Sequence, residues 1–185
     1  MALSILWTAI SYLTPNFSEG FLTGRQSYFF GIYQGMLLFH GVSASVATLL
    51  ASISMLVKRG ESIHRLFGKL YLALVLFLAA PTGFYLSFFV IGGWTSTAAF
   101  TGLSVLWWVS TYLGTRGRNH GYWMRMSYLL TWAAFFLRMM IIVAAELGMD
   151  SVLSYQWIAW LCWLPGILLY SGIQARKGSR WSLKK

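Results

Sequence analysis

This chain is short of acid. Four Asp and Glu face fourteen Lys and Arg in 185 residues, a formal net charge of +10. It is short of charge altogether: 10% of residues are charged and 58% hydrophobic, against roughly 25% charged in average soluble domains. A water-soluble fold of this length lacks the polar surface such a composition denies it. A single cysteine, Cys162, excludes an intrachain disulfide framework and a cysteine-based zinc site. There is no glycine-rich phosphate loop, no His-x-x-x-His pair and no Gly-x-Ser-x-Gly elbow, so nucleotide, zinc-protease and serine-hydrolase chemistry have no motif to stand on. No internal repeat and no second domain are evident, and a transporter built on inverted repeats finds no support.

Long apolar runs are what the chain has. A span of about 20 apolar residues crosses the ~30 Å hydrocarbon layer. Runs at 31–57, 66–90, 98–115, 122–147 and 155–175 meet or approach that length, and 2–14 is a shorter first helix stopped by Pro15. The expected fold is all-α: a polytopic six-transmembrane-helix bundle over 1–175, followed by a basic tail at 176–185. Segment 2–14 has no basic leader and no clear small-residue cleavage site, which argues against a signal peptide. Pro81 is expected to kink or loosen the third helix, and Pro165 the last.

The basic residues sort by connection. Lys58, Arg59, Arg65 and Lys69 flank one turn, Arg116, Arg118 and Arg125 another, and Arg176, Lys177, Arg180, Lys184 and Lys185 the tail. In a six-helix model all lie on one side, and the positive-inside rule makes that side, with both termini, cytoplasmic. The expected location is a bacterial inner membrane. The positive charge thus serves orientation in a lipid bilayer, and nucleic acid is not the expected partner.

Arg138 breaks the pattern, standing in mid-run where an ionised side chain is costly and points to function. His40 lies about 9 residues from the outer end of its helix, hence ~14 Å deep, and Arg138 lies at the same level on its own. An imidazole can accept a hydrogen bond and a guanidinium can only donate, so His40 is the expected neighbour. A stripe of His40, Ala44, Ala47, Ala51 and Ser54 gives that helix a close-packing face. His64 and His120 open two helices at the cytoplasmic boundary, ~25 Å from His40.

Three readings follow for His40 and Arg138: interhelical hydrogen bonding alone, a b-type haem with an imidazole ligand and arginine at the propionates, or a polar pocket for a quinone. His64 and His120 are level and are the expected pair for a haem or a metal ion, with Arg65 or Arg125 near the propionates. The leading functional expectation is a membrane redox protein that binds haem b or quinone for electron transfer. An accessory or assembly subunit of a larger membrane complex is the alternative, and a small-molecule transporter a third.

His40, His64-Arg65-x-x-Gly68-x-x-Tyr71, and His120-x-x-Trp123-Met124-x-x-Ser127-Tyr128-x-x-Thr131 ending at Arg138 together resemble the bacterial membrane family named domain of unknown function 2306. The run Trp160-Leu-Cys162-Trp163-Leu-Pro165 is similar to that family's last helix, and the resemblance covers about 31–170. It implies a compact multi-helix membrane protein whose histidines and arginine recur together, broadly similar to membrane b-type cytochromes. Met126 stands where the family usually carries arginine, with Arg125 one place earlier; one residue turns a helical side chain by ~100°. Gly166 replaces the family's usual Asn after Pro165.

Overall fold

The computed structural model describes residues 26–116, 119–149 and 151–182, and every regular element among them is helical. The expected first helix, 2–14, lies outside the described residues, as do Arg118 and the end of the tail. A short α1 (Gln26–Phe29) leads into α2 (Ile32–Leu56). A second rod, Ser62–Phe89, is built from α3 (Ser62–Leu74), a π-helical turn (Val75–Ala79), α4 (Ala80–Leu86) and a closing 3-10 turn (Ser87–Phe89). Then come α5 (Gly93–Thr115), α6 (His120–Thr131), α7 (Ala133–Glu146), α8 (Ser151–Leu161) and α9 (Leu164–Ser182).

Four rods are long and apolar enough to cross a membrane: Ile32–Leu56, Ser62–Phe89, His120–Ala144 and Leu153–Arg176. Six were expected. Helix α5 has the length, about 35 Å at 1.5 Å per residue, but carries Ser96, Thr101, Ser104, Ser110 and Thr111 along it. Those hydroxyls explain both its lower apolarity and its place. It packs against α4, α6, α8 and the π-turn through its small and hydroxyl-bearing residues, while Val105, Leu106 and Trp108 face outward. Ser96, Ser104, Ser110 and Thr111 are all buried there. In a solvent of lipid tails, helices associate through close packing and polar contacts, and a serine- and threonine-rich face supplies both.

The apolar side chains that face outward, such as Phe77, Leu56 and Leu168, are strongly exposed. That inverts a soluble protein and fits a bundle coated in lipid. The core joins Ala47 and Ala51 of α2 to Tyr71 and Val75, Trp107, Leu130 and Trp163. The small-residue stripe of α2 therefore is a packing face, since Ala47 and Ala51 admit their neighbours closely.

The two prolines act as expected of them. At Pro81 the missing N–H leaves no donor for the carbonyl four residues back, and the backbone widens into the π-turn just before it. The Ala80 N–H then reaches Val75 O, and Leu76 O is instead met by Trp108 Nε1–H at 3.1 Å. A two-residue turn at Cys162 and Trp163, just before Pro165, marks α8 off from α9 within the rod Leu153–Arg176. The backbone stays helical to Ser182, past the point where the tail was expected to start. A further break at Trp132 separates α6 from α7 within the run expected as one helix, 122–147. Gly60 (φ 90°) makes the turn between α2 and α3, and Asn119 (φ 58°), a residue type that tolerates left-handed backbone, starts α6.

Candidate functional site

The stripe on α2 leads from one cavity to another. The larger, about 450 Å³, is lined by His40, Gly41 and Ala44 of α2, by Gly83 and Ser87, by Ser104 and Trp107 of α5, and by Thr131, Leu137 and Arg138. The smaller, about 60 Å³, is lined by Ala51, Ser54, Met55, His64, Tyr71, His120, Met124 and Tyr128. The structure thus brings His40 to Arg138 and His64 to His120, and keeps the two pairs apart. Arg65 and Arg125 are exposed and line neither cavity.

His40 is held from three sides. Its Nδ1 lies 2.9 Å from Ala79 O, the last carbonyl of the π-turn. A carbonyl only accepts, so Nδ1 carries the proton and Nε2 keeps its lone pair. Thr82 Oγ1 sits 3.3 Å from the same Nδ1. Gly83 makes room for the ring: a Cβ there would fall 2.9 Å from His40 Cε1 and 3.1 Å from Ser104 Oγ. Pro81, the π-turn, Ala79 and Gly83 form one local device that anchors and accommodates the imidazole.

Arg138 reaches the same cavity from α7 and is close enough for its charge to act on His40. Apart from these two residues the lining is mainly apolar and aromatic, with Ser87, Ser104 and Thr131 as scattered hydroxyls. Volumes of roughly 300–1,000 Å³ with few convergent polar groups are usual for small-molecule sites.

Between the cavities lies a closed hydrogen-bond ring. Thr111 Oγ1–H donates to Trp107 O at 2.7 Å. Ser127 Oγ–H is left to donate to Thr111 Oγ1 at 2.6 Å, and Tyr71 O–H to Ser127 Oγ at 2.5 Å. Trp107 Nε1–H donates to the Tyr71 oxygen at 3.1 Å and closes the circuit. Thr131 braces it, donating to Ser127 O at 2.9 Å. All of these side chains are buried. The ring ties α3, α5 and α6 together. Sequence reasoning singled out neither Ser104 nor Thr111 and took Trp107 for belt or core packing; a Ser104–Trp107–Thr111 pattern at three- and four-residue steps on an otherwise apolar helix was the available signal.

His64 and His120 repeat the His40 arrangement. His64 Nδ1 is 3.0 Å from Ser54 O and His120 Nδ1 is 2.7 Å from Gly114 O. In the neutral imidazole that contact leaves the lone pair on Nε2. A haem with two axial histidines does not fit these residues. The cavity shared by His64 and His120 is far below the size of a small-molecule site, and no second histidine is among the residues lining the cavity of His40.

A family model described as "Predicted membrane protein (DUF2306)" matches residues 37–172. Its reach takes in His40, His64, His120 and Arg138, and with them both cavities. No curated protein and no solved structure matches the chain.

Proposed function

The chain belongs to the DUF2306 family of predicted membrane proteins, and we propose that it binds a quinone, or a lipophilic ring bearing carbonyl oxygens of that class, in the cavity between His40 and Arg138. The observation that carries this reading is the pairing of one fixed donor set with one fixed acceptor at a lipid-accessible cavity of about 450 Å³. Arg138 lines the cavity, and its guanidinium is a cation with five N–H donors and no acceptor. His40 offers Nε2 as an acceptor, its tautomer held by Ala79 O. A quinone presents carbonyl oxygens to the first, and its reduced hydroxyl form presents a donor to the second. Ile141 and Ile142 line the rim and are exposed, which suits a ligand that arrives sideways from the bilayer.

The proposed setting is electron transfer within a bacterial inner membrane, in a six-span bundle with both termini cytoplasmic. Lys58, Arg59, Arg65 and Arg116 gathered at one end of the described helices support that orientation. An accessory subunit would need no such cavity, and an arginine at its wall would serve only packing.

The test is titration of the full chain in lipid nanodiscs with a short-chain ubiquinone analogue, read by quenching of tryptophan fluorescence, since Trp107 lines the cavity. Saturable binding is expected. Arg138→Leu should weaken it by about 10–100-fold, the scale of one lost charge-assisted hydrogen bond at ~1.5–3 kcal/mol. His40→Ala should discriminate against the reduced form. Non-saturable quenching, or equal affinity in both folded variants, sinks the proposal.

A further inference from the structure

The small cavity asks for a guest of its own. It is bounded by two imidazoles whose Nδ1–H groups are committed to Ser54 O and Gly114 O, leaving both Nε2 lone pairs available. Fixing the ring through a backbone carbonyl is how proteins orient metal-binding histidines. Two thioethers, Met55 and Met124, line the same space. Met124 is tightly seated, because a Cβ at Gly114 would lie 2.5 Å from its Sδ, and the carbonyl of that same glycine holds His120. Ser54 adds an independent sign: its buried Oγ has no hydrogen-bond partner among the described residues, and Ser54 lines this cavity. About 60 Å³ admits an ion or a water, not an organic cofactor.

From this arrangement we infer that the cavity is a copper(I) site, with the Nε2 atoms of His64 and His120 and the thioether of Met124 as ligands and Met55 beside them. Ligand chemistry selects the ion. Thioether sulfur is soft and favours Cu(I), whereas imidazole alone serves zinc, copper, iron and nickel alike. Charge selects it too. No carboxylate or thiolate lines the cavity, and no cluster of three or more His, Cys, Asp or Glu exists among the described residues. A dication here would keep its full charge against the desolvation cost, which grows as the square of charge in the Born picture. The Arg59 guanidinium, lying over Gly121 next to His120, repels a dication twice as strongly as a monocation. Zinc sites usually hold four N, O or S ligands, commonly with anionic members, and this set has none.

The site is distinct from the cavity of Arg138 and does not depend on what binds there. The experiment loads the full chain in nanodiscs with Cu(I), kept reduced by ascorbate, in competition with a bicinchoninate chelator. One copper per chain is expected, with sulfur as well as nitrogen scattering in its X-ray absorption spectrum. His64→Ala and His120→Ala should each weaken binding on the order of 100-fold or more, above the 10–100-fold of outer-shell changes. Met124→Leu, a volume-conserving swap that leaves packing intact, should remove the sulfur scattering and cost about tenfold; Arg138→Leu should change nothing. Sub-stoichiometric copper in the wild type, a spectrum without sulfur, or tighter retention of zinc than of Cu(I) would overturn the assignment, and the wild-type spectrum decides the matter even if a histidine variant does not fold.

Discussion

The ring around Tyr71 and the cavity at His40 lie side by side in the same bundle and share Trp107 and Thr131, yet they use their polar atoms in opposite ways. In the ring every hydroxyl hydrogen has an acceptor, the circuit closes on Trp107 O, and the side chains are buried. At His40 one ring nitrogen is committed to Ala79 O, and the ring shares the lining of one cavity with the Arg138 guanidinium. Polar groups that close on one another tie helices together; polar groups that line a cavity also present atoms to whatever enters it. Burial alone does not distinguish the two. The donor count does.

The largest effect that separates them is on stability. Tyr71→Phe removes one oxygen, yet it strands the Trp107 N–H and takes the acceptor and donor from the middle of the ring. A stranded buried donor costs ~1–3 kcal/mol, so unfolding in mixed micelles should show a loss of about 2–3 kcal/mol. Quinone affinity of the folded variant should stay within about threefold, because the phenol does not line the large cavity. Arg138→Leu should do the reverse, with affinity lost and stability nearly kept. A Tyr71→Phe protein of full stability would mean that the ring holds nothing together.

A middling effect probes the seat of the imidazole without touching its chemistry. Gly83→Ala would put a methyl 2.9 Å from His40 Cε1, closer than side chains tolerate, and the ring must swing away from Ala79 O. Affinity for the quinone analogue should fall by about tenfold, ~1.4 kcal/mol, with the loss concentrated on the reduced form that needs Nε2. Wild-type affinity in this variant would show that the position of His40 is immaterial, and the cavity would then owe its ligand to Arg138 alone.

How much of this stood in the sequence depends on whether the signal was local. The rods were legible because apolar runs have a length that the bilayer sets. The pairings of His40 with Arg138 and His64 with His120 followed from counting residues along straight helices, since depth in a bundle is a one-dimensional coordinate. What the count could not give was rotation about each helix axis. Arg65 and Arg125 sit at the right level for a site and point away from both cavities. The ring was hidden for the same reason: Tyr71, Trp107, Thr111 and Ser127 come from three helices, and nothing local tells a serine that packs from one that closes a circuit. Helix α5 was expected as a span from 98, and its buried hydroxyls are what turn one of its faces to the neighbouring helices.

The smallest effect sharpens the comparison most finely, because it acts on geometry one step further back. Pro81 belongs to neither the ring nor the cavity, but its missing N–H goes with the π-turn whose last carbonyl, Ala79 O, anchors His40. Pro81→Ala restores a donor and permits the turn to rewind as α-helix. Rewinding would return Leu76 O to its own helix and release Trp108 Nε1–H, now bonded to that carbonyl. Gains and losses are each near ~1 kcal/mol, so net stability should move by less than about 1 kcal/mol. The register of every residue from Val75 to Ala80 would rotate, and with it the direction of Ala79 O. Quinone affinity should therefore fall by about threefold while the Tyr71 ring, seated before the turn, is undisturbed. Hydrogen exchange at the amides of α3 checks the second half: unchanged protection there, with reduced binding, places the effect at the anchor. Faster exchange in α3 would show instead that the π-turn supports the ring as well, and that the two regions are one.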